Sequence, residues 1–451
     1  MKRLWDKGEA TNELMRELTV GSDPVIDREL VYFDALGSAA HAKMLCVMKY
    51  LPEHDIELLL PALREIAEQG KAGAFNIPAE LEDCHTAIEN ELVTRCGDAG
   101  KRIHTARSRN DQVLLAVRLY LRDVTVNGLG ALIELSDSIA SRIASDGDLP
   151  LPGYTHLQPA MPSSVSMWLQ GWAEGINDLL RAGCALYDGL DSNPLGSGAG
   201  FGTNLTIDRE YVTKVLAFSR TQRNPIDCNN SRGRYEERYL RWATDVASLF
   251  EKLAWDVLIY STREFGFVTL PHDLTTGSSI MPQKRNLDIV ELLRGRASRV
   301  RGALHELSGV IAKLPSSYHR DFQYTKEPLI RAVHEMDRIF GMASLIIKNL
   351  KFNAERLKSS MYTDLYATYD ANVQVGQGVP FRDAYRTTAE RVEHGSLNKD
   401  MLMREYDKIQ HETKLLTDES RKELEHFRTQ HRTLRTTLEE VERTVFSPVI
   451  L

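Results

Sequence analysis

Ten residues, Gly277-Ser-Ser-Ile-Met-Pro-Gln-Lys-Arg-Asn286, hold two hydroxyls, a lysine, an arginine and an asparagine. They stand just before a long apolar-striped segment, so backbone N–H groups at a helix start would favour an anion there. Lys284 and Asn286 are residue types that bind a carboxylate and the extra charge it gains in a transition state. The same composition also fits a serine cap followed by solvated basic residues. A second segment, Gly153-Tyr-Thr-His-Leu-Gln158, centres on His156. The ordinary imidazole pKa of about 6.5 suits proton transfer at neutral pH, although a lone loop histidine is more often structural or merely exposed.

A third segment, Lys101-Arg-Ile-His-Thr-Ala-Arg-Ser-Arg-Asn-Asp-Gln112, reads either as a charged helix start, with Asn110 and Asp111 near the cap, or as an anion-binding loop. A fourth, Leu314 to Lys326, offers Tyr318, Gln323 and Lys326 for a polar pocket, and also resembles an ordinary helix start. The glycines at 196–202 do not form G-x-G-x-x-G, and there is no Walker A or G-x-S-x-G. Neither a zinc ribbon nor H-E-x-x-H occurs. Together these loops describe a pocket for a polyanionic small substrate, using proton transfer with no cofactor and no metal.

Something long and rigid must position such loops. Apolar residues recur at three- and four-residue spacing through Val117–Ile139, Trp168–Leu186, Tyr239–Tyr260 and Ile289–Ile311. Each stripe predicts an amphipathic helix of about 20 residues or more, well above the usual 11–12. Small residues within the stripes, Gly128, Gly183 and Ala297, would let helices approach closely. Between two stripes, Leu149 to Pro162 carries four prolines in fourteen residues and cannot be helical. The expected fold is all-α: three helical domains around a long central bundle, which the family resemblance given below makes the core of a tetramer. An N-terminal helical domain would span 1–105, the long-helix bundle 106–355 and a C-terminal helical domain 356–451, its last sixty residues charge-rich with weak stripes.

The whole chain has 451 residues, 42% of them apolar and 26% charged, which is ordinary globular composition. Its net charge of -7 argues against a nucleic-acid or anionic-membrane binder. Five cysteines, with no C-x-x-C, fit a reducing compartment, hence a cytoplasmic location. The opening Met1-Lys-Arg-Leu-Trp-Asp6 lacks the apolar core of a secretion signal. No apolar run approaches the roughly 20 residues of a membrane span.

The four chemistry-bearing segments, in this order, resemble the fumarase/aspartase superfamily, and within it the argininosuccinate lyases. G-S-S-x-M-P-x-K-x-N at Gly277–Asn286 is similar to the superfamily signature. His104–Gln112, Gly153–Gln158, Asn193–Gly198, Leu314–Lys326 and Gly378–Arg382 resemble further family motifs. The resemblance runs from about residue 12 to about 395. It implies β-elimination: a base removes the proton beside a carboxylate, the C–N bond breaks, and argininosuccinate gives arginine and fumarate, as in arginine biosynthesis. It implies Ser278 as the base, with Ser279 its neighbour, and Lys284 and Asn286 as the clamp on the dianionic intermediate. His156 would support the departing nitrogen, and Glu291 would orient and charge His156. Thr155 and Asn110 match substrate-binding positions, with Ser108 and Arg109 beside the latter, and His85 matches a histidine near the carboxylates. Tyr318, Gln323 and Lys326 match positions that hold the arginine half.

The resemblance also implies a homotetramer whose active sites draw loops from three chains. Some positions depart from the pattern. Leu287 replaces a proline, and Ala106 replaces a glycine at a backbone angle that alanine is expected to tolerate. Asn230–Tyr235 replaces S-D-R-D, with Gly233 where arginine is expected, and Asp23 replaces a substrate-binding serine. Tyr385 replaces a histidine. These departures leave room for another superfamily lyase acting on a different N-substituted aspartate, or for a lyase fold retained as a binding protein.

Overall fold

In the computed structural model of the chain, residues 12–449 are described; the opening Met1–Asp6 lies outside them. The chain is helical, and four two-stranded ribbons are the only β structure among the described residues. Seven helices matter for the site: α1 (Val31–Val47), α2 (Arg109–Asp146), α3 (Val165–Leu190), α4 (Arg234–Ser261), α5 (Asp288–Ile311), α6 (Lys326–Asn349) and α7 (Lys399–Val445). The four apolar stripes fall inside α2, α3, α4 and α5. No described helix is long and apolar enough to cross a membrane.

Helix α2 begins at a capping box. Ser108 Oγ accepts from the Asn110 N–H at 3.3 Å, and Asp111 accepts from the Ser108 N–H at 2.9 Å. It ends at Gly147, before prolines that cannot continue a helix. The proline-rich stretch instead forms a hairpin, β1 (Pro150–Thr155) against β2 (Gln158–Ser164). Close packing explains the small residues of the stripes. Trp242 of α4 lies in a notch between α2 and α3: an added Cβ would come within 2.6 Å of its ring at Gly128 and 3.1 Å at Gly183. Its indole N–H donates to the Leu179 carbonyl at 2.9 Å. A methyl group at either glycine would overpack this notch, at a cost of about 1–3 kcal/mol.

The helices alternate in direction, which gives the bundle two distinct ends. At one end lie the start of α2, the end of α3, the starts of α4 and α6, and the end of α5. Arg118 of α2 reaches the Ser192 carbonyl at 2.8 Å and stacks over Tyr235 at 3.7 Å. Gly233, at φ +80°, leaves only 2.4 Å between an added Cβ and Ile311. We call this the head. The other end, the tail, carries the β1–β2 hairpin, the end of α4 and the start of α5, with Arg142 of α2 donating to the Leu350 carbonyl just past α6. At about 1.5 Å per residue, the 24 residues each of α5 and α6 hold head and tail about 36 Å apart.

Helix α7 runs back along α2 and α3. Its weak stripe reflects polar attachment: Asn177 donates to Ser420 Oγ at 3.0 Å, and Lys43 donates to the Thr444 carbonyl at 2.8 Å. Leu424, Phe427, Val441 and Val445 still join the main core, which extends from Leu30 to Phe446.

Candidate active site

The site candidates fall into two groups, one at each end of the bundle. At the head, Lys326 is buried where α6 begins. Its ammonium lies 2.7 Å from Asp27 and 2.8 Å from Asp23. Asp27 also accepts from the Cys84 N–H at 3.3 Å. The next residue, His85, is fully buried, with Nδ1 3.0 Å from Asp34. Asp34 accepts from Gln112 Nε2 at 2.9 Å, and Gln112 accepts from Arg109 at 3.1 Å. Lys326, His85 and Arg109 thus belong to one buried polar network. Arg109 also donates to Thr86 Oγ1 at 3.1 Å and faces Asp83 at 3.8 Å.

Asn110, half-buried, stands beside Arg109 in the first turn of α2, just after the cap residue Ser108. Gln323 donates to the Thr19 carbonyl at 2.9 Å, and Tyr318 packs on Phe322 at 6.2 Å. The head therefore gathers Ser108, Arg109, Asn110, His85, Tyr318, Gln323 and Lys326. Asp27, Cys84 and His85 also bring metal-ligating atoms within 4.8 Å of one another. Within that trio Asp27 is fully enclosed and held by the Lys326 ammonium at 2.7 Å, so a dication on this closed side would be repelled. The trio is part of an ion-pair network.

Charge is tightly managed here. Burial opposes ionisation of Asp83, but the Arg109 and His85 charges hold its carboxyl down, at about 2. Burial likewise works against Asp34, and His85, Arg107 and Gln112 overcome it, holding the carboxyl below its usual range. Asp111 is pushed up to about 6 by burial, although it accepts N–H bonds from Ser108, Gly196 (3.0 Å) and Gly198 (2.8 Å). Those bonds join the 101–112 segment to the glycine-rich turn. Ala106 corrects one expectation: its φ is +60°, a left-handed angle that alanine does not readily adopt. Ala106→Gly should therefore raise stability by about 0.5–1 kcal/mol, the relieved strain exceeding the entropy glycine adds to the unfolded chain. A lower urea midpoint in the variant would contradict this.

Below the same segment, His41 is fully buried and donates from Nε2 to the Thr105 carbonyl at 2.9 Å. Burial, helped by the Arg107 charge, depresses it to about 3. A depressed histidine contributes stability that is present above its unfolded pKa of about 6.5 and lost as pH falls toward the folded value. Asp23 and Asp111, both raised to about 6, run the other way. The effect should therefore be read as a difference. His41→Gln keeps a donor but does not titrate, so relative to the native chain it should gain about 2 kcal/mol between pH 7 and pH 5. Urea unfolding at both pH values measures this, and a constant difference would refute it.

At the tail, Thr155 and His156 sit at the tip of the β1–β2 hairpin, both exposed. Thr155 pairs with Gln158, and the two residues between them, His156 (φ +54°) and Leu157 (φ +58°), are both left-handed. This is the backbone of a type I′ turn, which normally prefers Asn-Gly. The hairpin is braced by Tyr154 against Phe265, with centroids 5.1 Å apart, and by Tyr406, which donates to the Ser163 carbonyl at 2.9 Å.

The Ser278 loop bulges from a ribbon in which Thr276–Gly277 pairs with Arg285–Asn286. Ser278 Oγ accepts from the N–H groups of Ile280 (3.3 Å) and Met281 (3.2 Å). Asn286 donates to the Gly277 carbonyl at 3.4 Å, and Lys284 is exposed. The capping alternative does not hold for these serines: the cap of α5 is Leu287, which makes no side-chain cap bond. Nor is the start of α5 free for an external anion, because Asp288 and Glu291 occupy its first turn. Glu291 is exposed, and among the described residues no hydrogen bond or ion pair joins it to His156.

Asp27 and Asp34 were not singled out from the sequence, although both anchor the head. Asp34 carried a readable signal, an acid within the apolar run of α1, Val31-Tyr-Phe-Asp34-Ala-Leu. Arg118 and Arg122 are also buried, stacked on Tyr235 and Phe218, and tie the 190–222 segment to α2.

A family described as Lyase matches residues 9–302. The argininosuccinate lyase of Sorangium cellulosum (strain So ce56) is 41% identical over 397 residues, covering 86% of this chain and 90% of that one. The argininosuccinate lyase of Thermotoga neapolitana is 37% identical over 390 residues, covering 86% and 98%. The crystal structure of EDDS lyase in complex with formate superposes with a TM-score of 0.81 at 20% identity, covering 98% of this chain and 96% of that one, which shows a shared fold. On these matches, and with the signature loop in place, the chain belongs to the argininosuccinate lyase family.

Proposed function

We propose that this chain catalyses the reversible cleavage of argininosuccinate to arginine and fumarate, the step that yields arginine in its biosynthesis. Identity of about 40% to argininosuccinate lyases over most of the chain favours this substrate over a different N-substituted aspartate. The presence of Ser278, Lys284, Asn286, His156 and Glu291 argues against a retained, non-catalytic scaffold. The observation that carries the chemistry is the pair of backbone N–H groups on Ser278 Oγ. A serine hydroxyl acts as a base only after losing its own proton; two N–H donors stabilise the resulting alkoxide and raise its population at neutral pH.

In this reading Ser278 takes the proton from the carbon beside a succinyl carboxylate. Lys284 and Asn286 hold that carboxylate as it gains the carbanion's charge. The C–N electron pair then leaves with the guanidino nitrogen, and His156, charged and oriented by Glu291, supplies the proton. Thr155 and Asn110 bind the substrate, with Ser108 and Arg109 beside the latter and His85 near the carboxylates, while Tyr318, Gln323 and Lys326 bind the amino-acid half.

The enzyme works as a homotetramer with shared sites. Supporting this, the head and tail candidates stand at opposite ends of helices about 36 Å long in one chain, while Leu292 on α5 and Leu345 on α6 are exposed. A cytoplasmic setting fits the five free cysteines. The test is ultraviolet detection of fumarate on mixing the purified protein with argininosuccinate. Rapid release is expected; silence with argininosuccinate but release from another N-substituted aspartate would overturn the substrate.

A further inference from the structure

Lys326 is unusual for a residue meant to receive an anion: it already has two. Its ammonium meets Asp27 at 2.7 Å and Asp23 at 2.8 Å, and its own side chain is only 6% exposed. Two carboxylates facing one ammonium leave an excess negative charge in a poorly hydrated place, and such a site favours a further cation. The two acids are not equivalent. Asp27 is fully enclosed and also holds the Cys84 N–H, whereas Asp23 keeps 13% exposure.

Asp23 is also firmly placed. Gln323 holds the Thr19 carbonyl, and Ser22 donates to Glu327 at 3.0 Å, so the 19–23 segment is fastened to the start of α6 on both sides of Gly21. Burial pushes the Asp23 carboxyl up to about 6 despite the pull of Lys326, and the nearby Asp27 charge adds to the push. That agrees with a carboxylate short of positive charge. Lysine has three N–H donors, and two are engaged by these acids, leaving one for a ligand.

We infer that Asp23 is a specificity-determining residue: together with Lys326 it forms a socket for a zwitterionic amino-acid end, its carboxylate on Lys326 and its ammonium on Asp23. The inference rests on the proposed function and adds the residue that reads the charge of the leaving half. An amine half without an α-ammonium would leave Asp23 facing its carboxylate, a like-charge contact.

The experiment is titration calorimetry with arginine and with argininic acid, which carries a hydroxyl in place of the α-ammonium, on the native enzyme, Asp23→Ser and Asp23→Asn. The native enzyme should prefer arginine by about tenfold or more, and both variants should narrow the ratio to about threefold or less. For argininosuccinate, KM should rise more than kcat falls. Asp23→Asn is nearly isosteric and keeps an acceptor for Lys326, which guards against a variant that merely misfolds. An unchanged ratio in both variants, or no arginine binding by the native enzyme, would overturn the inference. Fumarate release by the native enzyme judges the function separately: a discriminating socket without fumarate release would sink the reaction and leave the socket standing.

Discussion

Ser278→Ala is expected to lower kcat for fumarate release by about 10³-fold while leaving KM within a few-fold. The expectation rests on what the hydroxyl does at each stage. In the ground state Ser278 Oγ is an acceptor for the Ile280 and Met281 N–H groups, at 3.3 and 3.2 Å, and these are internal to the loop. Removing it therefore takes little away from substrate binding. In the transition state the same oxygen receives the proton, so its loss falls on turnover. Ser279→Ala is the informative control, because Ser279 is exposed and no described hydrogen bond holds its hydroxyl as the two N–H groups hold Ser278. It should stay within about tenfold of the native rate. If Ser279→Ala were the inactive variant, the two serines would exchange roles. If both stayed active, the base would lie elsewhere.

The helices and the loops were legible in the sequence for different reasons. A stripe such as Tyr239-Trp242-Val246 repeats one physical requirement, burial of a single face, through the whole of α4. Four prolines made the 149–162 segment a break before its hairpin form was known. The signature loop was legible as a dense run of polar residues, but not its wiring. Composition allowed Ser278 to cap a helix, and only the backbone path reveals that Leu287 stands at the cap and that the serine turns its oxygen to its own loop. Ala106 escaped for a similar reason, because a left-handed angle belongs to the chain's path and not to the residue type. The buried acids Asp27 and Asp34 escaped because each is a lone charge in its segment, and its partners Lys326 and His85 lie far away in sequence. The separation of head from tail was the least legible of all. It depends on the alternating directions of α2 to α6, which spacing along a chain does not encode.

That separation gives the second large effect. Asn110→Ala and Ser278→Ala should each be nearly inactive alone, and a 1:1 mixture, dissociated and reassembled, should regain about a quarter of native activity. Asn110 belongs to the head and Ser278 to the tail, with α5 holding the ends about 36 Å apart. Neither helix bending nor loop closure spans that distance, so a site using both residues must take them from different chains. With random reassembly, half the sites receive an intact head and half an intact tail. The two choices are independent, which gives one site in four with both. Were both residues drawn from the same chain, every site would carry one defect and the mixture would stay at the baseline of its parents. His156→Asn mixed with Lys284→Ala extends the argument to the tail alone. No described bond joins the His156 hairpin to the Ser278 loop. Some recovery is expected in that pair as well, because these two tail loops then meet across chains and each site has three contributors; a flat baseline would count against it.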